Sequence, residues 1–67
     1  MKSLLKISNI NTNDDVINVR EAIAKNDGVI ACEVSLSKKE VNIVYDDKSI
    51  TIDKIISSIE EVGYSIL

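Results

Sequence analysis

The chain has 67 residues, 45% of them hydrophobic, which suits one small domain and excludes a second domain or an enzyme with a deep cleft. Eight basic residues against eleven acidic ones give a net charge of −3, and no basic stripe is present, which excludes nucleic-acid binding through phosphate neutralisation. Histidine is absent, so neither a Ser-His-Asp nor a Cys-His catalytic group can be assembled.

Targeting signals are also missing from the sequence. No apolar run approaches the roughly 18 residues of a membrane-spanning helix, and the charged start lacks the apolar stretch of a signal peptide. Only one cysteine is present, as is usual for proteins of the reducing cytoplasm. We therefore expect a single cytoplasmic domain spanning residues 1–67, without a membrane segment.

The first predicted element is a strand over Leu4–Ile10. Leu5 and Ile7 alternate with polar residues, which is the period of a strand with one buried face. A polar loop over residues 9–15 follows, rich in residues that favour turns and helix caps.

The period then changes to that of a helix, from Asp14 to about Lys25. Thr12 or Asn13 is the predicted N-cap, and Gly28 suits the left-handed conformation that ends a helix. The apolar stripe of this helix comprises Val16, Val19, Ala22 and Ile23.

Two alternating runs joined by a short polar break predict a β-hairpin over residues 29–36 and 41–45. In the first run we assign one face to apolar residues. They are Ile30, Cys32, Val34 and Leu36.

A second helix is predicted between Thr51, its N-cap, and Gly63, which ends it. Its apolar face comprises Ile52, Ile55, Ile56, Ile59 and Val62. Tyr64–Leu67 is then predicted to be a short closing strand.

The order of elements, βαββαβ, predicts an α+β ferredoxin-like sandwich with a four-stranded antiparallel sheet and both helices on one face. This arrangement buries every apolar stripe and leaves the other sheet face in water. The predicted core contains Leu5, Ile7, Val19, Ile23, Cys32, Val34, Ile43, Ile55 and Ile59.

Several short phrases, in this order, resemble the heavy-metal-associated (HMA) domain of copper chaperones and of the N-terminal modules of copper-transporting ATPases. They are Leu5–Ser8, Asp27–Val29, Val34–Leu36, Val44–Asp46, Ile52–Ile56 and Ile59–Tyr64. The resemblance covers nearly the whole chain and implies a metallochaperone-like role in metal transport.

The resemblance also implies where a metal site would lie. Family members bind Cu(I) through a Met-x-Cys-x-x-Cys loop, and the alignment places Ile10 on the Met, and Thr12 and Asp15 on the two Cys positions. Soft Cu(I) selects sulfur ligands, whereas a hydroxyl and a carboxylate are hard oxygen donors. We therefore predict a degenerate site that binds neither Cu(I) nor any cofactor.

Two alternatives would still allow the protein to bind a metal ion. The loop offers candidate oxygen ligands for a hard cation, namely Asn11, Asn13, Asp14 and Asp15, or a partner could supply a thiol. The loop is not a calcium-binding motif, because Val16 and Ala22 stand where that motif has Gly and Glu. Cys32 is interpreted as a core residue, and acidic residues in a first helical turn also interact favourably with the helix dipole.

These considerations favour a protein-interaction or regulatory module over an enzyme. Small ferredoxin-like hydrolases such as acylphosphatases need an Arg at an anion cradle, but the only Arg, Arg20, lies on the first helix without a Gly-rich loop. We expect a monomer that binds a protein partner, for which the resemblance suggests a metal-transporting ATPase or a related domain. The predicted contact residues are Asn11, Thr12, Asn13, Asp14, Asp15 and Tyr64.

Overall fold

The computed structural model describes all 67 residues as two helices packed on a three-stranded antiparallel sheet. The elements are β1 (Lys2–Lys6), α1 (Asn13–Ala24), β2 (Val29–Ser35), β3 (Glu40–Tyr45) and α2 (Ile52–Glu61). The strand order is β1-β3-β2, so the central strand β3 pairs with both others. No helix is both long and apolar enough to cross a membrane.

The predicted fourth strand is wrong: Tyr64–Leu67 contributes a single bridge, between Ile66 and Ile7, instead of a strand. Backbone bonds from Ser8 N to Ser65 O and from Leu67 N to Lys6 O, both 2.9 Å, flank this bridge. Further along, the side chain of Asn9 replaces backbone pairing. Its Nδ2 donates to Gly63 O at 3.0 Å, and its Oδ1 accepts from Ser65 N at 2.9 Å.

The first strand also differs from its predicted bounds of Leu4–Ile10. It covers Lys2–Lys6, with Ile7 in the isolated bridge, and the chain turns at Ser8–Asn9. Ile10, beyond the turn, is fully buried although it was not predicted as a core residue.

The core lies between the helices and the inner face of the sheet. Six of the predicted core residues are fully buried, namely Ile7, Val19, Ile23, Ile43, Ile55 and Ile59. The other three, Leu5, Cys32 and Val34, are partly buried and pack against this cluster. The cluster also contains residues that the prediction omitted, which are Ile10, Val41, Tyr45, Ile50 and Tyr64.

A register shift in β2, between Val29 and Ala31, overturns one face assignment. Val29 pairs with Tyr45 and packs against the core, whereas Ile30 is 70% exposed. The cause is a bulge, which inserts one extra residue and breaks the alternation of faces. Ile30 therefore does not share the inner face with Cys32 and Val34.

The bend before β2 depends on Gly28, which has a φ of +99°. A Cβ at this position would lie 2.9 Å from the Cβ of Ser49, so both the backbone conformation and the space require glycine. This contact positions the α1–β2 bend against the loop that precedes α2.

Candidate functional site

Thr12 and Asp15, the two positions singled out by the sequence, are joined by reciprocal hydrogen bonds at the start of α1. Thr12 is the N-cap, and its Oγ1 accepts from Asp15 N at 3.1 Å. In return, Asp15 Oδ2 accepts from Thr12 N at 3.1 Å and from Asn11 N at 2.8 Å. This capping box satisfies backbone donors that the first turn would otherwise leave free.

Tyr64 links this cap to the C-terminal segment of the chain. Its hydroxyl donates to Asp15 Oδ1 at 2.7 Å and accepts from Asn18 Nδ2 at 3.2 Å. The ring is only 8% exposed and belongs to the core cluster. Both carboxylate oxygens of Asp15 are thus engaged within the chain. We call the set Thr12, Asp15, Asn18 and Tyr64 the loop lock.

The hydrogen bonds of the loop lock shift two pKa values. The Tyr64 hydroxyl, followed by the backbone N–H of Asn11, stabilises the charged carboxylate and lowers the pKa of Asp15 below its ordinary 3.8. For Tyr64, the bond from Asn18 lowers the pKa. The bond to Asp15, burial and the negative charges of Asp15 and Asp14 outweigh it, so the pKa of Tyr64 is raised.

The remaining predicted site residues face the solvent. Asn11, Asn13 and Asp14 are exposed, and the Oδ1 of Asn11 accepts from Lys39 Nζ at 3.4 Å. Ile17 follows one turn later on α1 and is 47% exposed. The structure therefore separates the six predicted contact residues. Asp15 bonds to both Thr12 and Tyr64, whereas the side chains of Asn11, Asn13 and Asp14 are exposed.

No group of three or more His, Cys, Asp or Glu side chains is arranged to hold a metal ion. Cys32, the single cysteine, lies on β2 opposite Ile43 and is not part of the first loop. Burial raises the pKa of its thiol, and the positive charge of Arg20 counteracts this only in part. Because the thiolate is the form that ligates metals, this environment disfavours metal binding by Cys32.

Three functional features of this region were not identified from the sequence. Asn9 attaches the loop to the C-terminal segment, Asn18 completes the loop lock, and Ile17 adds apolar surface. Asp15 and Asn18 lie three residues apart on one face of α1, and this spacing indicates from the sequence that Asn18 could join the loop lock. The role of Asn9 has no such local signal, because its partners lie more than fifty residues away.

The sequence is similar to a known protein family over nearly its whole length. The profile described as heavy-metal-associated domain matches residues 4–65. A copper chaperone CopZ of Staphylococcus haemolyticus is 35% identical over 48 residues, which cover 72% of this chain and 71% of that protein. The CopZ of Staphylococcus epidermidis is 38% identical over 48 residues, with the same coverage.

Solved structures show the same fold at lower identity. A CopZ metallochaperone superposes with a TM-score of 0.97 at 24% identity, with both chains fully covered. Oxidized MerP from Ralstonia metallidurans gives 0.93 at 22% identity, covering 98% of this chain and 94% of that one. A copper-binding domain of a P-type ATPase gives 0.92 at 22% identity, covering 98% and 92%.

Proposed function

The chain belongs to the heavy-metal-associated domain family, and we propose that it is a protein-interaction or regulatory member of that family which does not carry Cu(I). The observation that supports this most directly is the capping box. The two positions that align with the family's thiols, Thr12 and Asp15, are hydrogen-bonded to each other and to the backbone. We place this protein in the cytoplasm and treat it as non-enzymatic, in keeping with the copper chaperones that it resembles.

The chemistry of these side chains supports the absence of Cu(I) binding. A neutral hydroxyl and a carboxylate are poor ligands for a soft ion. A metal that recruited Asp15 would also have to displace the hydroxyl of Tyr64 and two backbone N–H groups. The loop lock thus takes up the coordinating capacity of the residues that a family metal site would use.

The proposed docking surface consists of the exposed side chains around the loop lock, namely Asn11, Asn13, Asp14 and Ile17. Ile17 supplies apolar area, and Asp14 lies in the first turn of α1, close to the ionised Asp15. We expect a mildly basic partner, and an encounter rate that falls as salt is added. A metal-transporting ATPase or a related domain is the proposed partner, because relatives include a copper-binding domain of such an ATPase. The conformation of this docking surface is maintained by Thr12, Asp15 and Tyr64, which contact the partner at the edge of the surface.

The alternative function is cation binding through the oxygens of residues 11–15, or through a thiol that the partner brings. Asn11, Asn13 and Asp14 are exposed, so in this alternative the cation binds at these side chains and is not centred on Asp15. Calorimetric titration with Ca²⁺ and Mg²⁺ separates the two functions. A saturable heat that disappears in Asp14→Asn would replace the proposal with this alternative.

Competition with a Cu(I) chelator under reducing conditions tests the main proposal. We expect the native protein and the Cys32→Ser variant alike to leave all copper with the chelator. The double variant Thr12→Cys/Asp15→Cys is the matched positive control and should bind one Cu(I), because it restores both thiols at the start of the same helix. Stoichiometric copper capture by the native chain that survives Cys32→Ser would overturn the proposal.

Docking is tested separately, by chemical-shift mapping with the metal-binding domain of a copper-transporting ATPase. The expected perturbations lie at residues 11–17, and Ile17→Glu should abolish them. Perturbations confined to Glu33, Asn42 and Val44, on the far side of the sheet, would show that the first loop is not the docking surface.

A further inference from the structure

Two consecutive lysines, Lys38 and Lys39, lie in the turn between β2 and β3, and both are exposed. Lys39 has a φ of +53° and is the only residue other than glycine with a positive φ. A residue with a Cβ is disfavoured in this left-handed conformation, which glycine and asparagine adopt more readily. The surrounding structure must therefore hold Lys39 in place, and residues held in this way are often found at functional sites. We call residues 37–39 the basic turn.

Hydrogen bonds attach the basic turn to the first loop of the chain. The N–H of Ile7 donates to Lys39 O at 2.8 Å, which continues the pairing of β1 with β3 beyond the ends of the strands. The Nζ of Lys39 donates to Asn11 Oδ1 at 3.4 Å. Asn11 belongs to the docking surface proposed above, and its backbone N–H donates to Asp15 of the loop lock. The basic turn is therefore a fixed neighbour of the docking surface.

The two charges of the basic turn have no anionic partner within the chain. The single ion pair of the structure joins Lys6 to Glu40, with Nζ 3.3 Å from Oε2, so the carboxylate that follows the turn is already engaged. At the opposite end of β3, by contrast, a groove is lined by lysines and aspartates together. They are Lys25, Lys48, Lys54, Asp27 and Asp47. The basic turn is thus a region of uncompensated positive charge on a chain whose net charge is −3.

We propose that the basic turn and the docking surface form one bipolar contact region, to which the protein partner presents carboxylates opposite Lys38 and Lys39 and basic groups opposite Asp14. The inference rests on the proposed function, because Asp14 is part of the docking surface defined there. Opposite charges in one contact region favour a single orientation of the partner, since the reverse orientation would bring like charges together at both positions. The basic turn thereby determines how the partner is oriented, in addition to how tightly it binds.

The backbone conformation of Lys39 separates this role from a structural one. A turn that only joined two strands would be served as well by glycine, which adopts a φ of +53° without strain. Lys39→Gly should therefore leave the urea midpoint of unfolding at or above the native value, while it weakens partner binding through the lost charge. A variant that unfolds at lower urea and binds the partner as well as the native chain does would assign Lys39 to the stability of the turn and overturn the proposal.

Chemical-shift titration with the metal-binding domain of a copper-transporting ATPase tests the proposal directly. We expect perturbations at residues 37–39 together with those at residues 11–17. Lys38→Glu/Lys39→Glu should raise the dissociation constant about tenfold, as expected when two exposed ion pairs are reversed. Lys25→Glu/Lys48→Glu is the matched control, because it changes the net charge equally at two exposed lysines of the opposite end, and it should raise the constant much less.

The outcomes distinguish a failure of this inference from a failure of the proposed function. Binding at residues 11–17 that the two double variants weaken equally would overturn the inference and leave the proposed function intact. Absence of binding would count against the proposed function, and titration with a short polyglutamate peptide then tests the basic turn without that domain. We expect this peptide to shift the amides of Lys38 and Lys39 more than those of Lys25 and Lys48, and equal shifts at all four lysines would overturn the inference.

Discussion

The two helices begin in almost the same way, yet only one start is anchored to a distant part of the chain. Thr12 and Thr51 are both N-caps in the extended conformation, and each accepts from the backbone N–H three residues later. In α1 that third residue is Asp15, whose carboxylate accepts a hydrogen bond from the backbone N–H of Thr12 and another from the hydroxyl of Tyr64. In α2 it is Lys54, whose side chain cannot accept a hydrogen bond. The difference shows that an N-cap can connect the helix start to a distant part of the chain when the residue three positions after the cap has a side chain that accepts hydrogen bonds.

The start of α2 has no such anchor, and α2 is held by its apolar face and by one side-chain hydrogen bond. Ile55 and Ile59 are fully buried, and Ser58 bonds to Asn26 Oδ1 at 3.1 Å. Both helices are packed on the core, since Val19 and Ile23 of α1 are fully buried too, but only α1 adds a polar anchor between its start and a distant residue. The predictions below test this contrast.

The largest effect is expected from Ile59→Ala in α2. Truncation of a fully buried Ile removes apolar contacts and leaves a cavity, which should lower the free energy of unfolding by about 2–5 kcal/mol. Urea denaturation followed by circular dichroism measures the loss. Glu60→Ala, the exposed neighbour, is the control, and an unchanged midpoint for Ile59→Ala would mean that packing does not hold α2.

A smaller and unequal pair of effects is expected from Thr12→Ala and Thr51→Ala. Each removes one cap, at a cost of about 0.5–2 kcal/mol, but Thr12→Ala should lie at the upper end of that range because it also loosens a carboxylate held by Tyr64. Parallel denaturation curves of the two variants provide the comparison. Equal losses would show that the reciprocal bonds of α1 add nothing to a simple cap.

The smallest effect is a dependence of stability on acid that is specific to the loop lock. Because the folded-state pKa of Asp15 is lowered, its stabilising contribution is complete above the ordinary pKa of 3.8 and is lost as the pH falls through the folded-state value. Amide chemical shifts of Asn11 and Thr12 should therefore titrate below pH 3.8.

Two variants define this titration. Asp15→Asn should abolish it, whereas Tyr64→Phe should move it upward in pH, because the hydroxyl of Tyr64 is the main cause of the lowered pKa. A midpoint that does not respond to Tyr64→Phe would mean that the tyrosine does not hold the carboxylate in solution.

Most of the fold could be predicted from local patterns. The change in hydrophobic period located both helices and the hairpin, and the resemblance to the HMA family is confirmed by the match over residues 4–65. The prediction failed at Ile30, where a bulge reversed the face, and at the last strand, where Asn9 takes over part of the pairing. Neither event alters composition or periodicity, so no local pattern reveals it.

The sequence by itself determined the order of the first five elements, most of the apolar stripes and the oxygen-bearing residues at positions 12 and 15, because these depend on residue type and on neighbours a few positions apart. The role of Thr12 as an N-cap is local and was among the predictions, whereas only the tertiary structure decided how the Asp15 carboxylate is held. It brings Tyr64 within 2.7 Å of Asp15 across 49 positions of the chain, and it leaves Leu4 and Ile17 exposed on two different surfaces. Contacts between residues so far apart arise from the packing of the whole core, and local patterns in the sequence do not encode them.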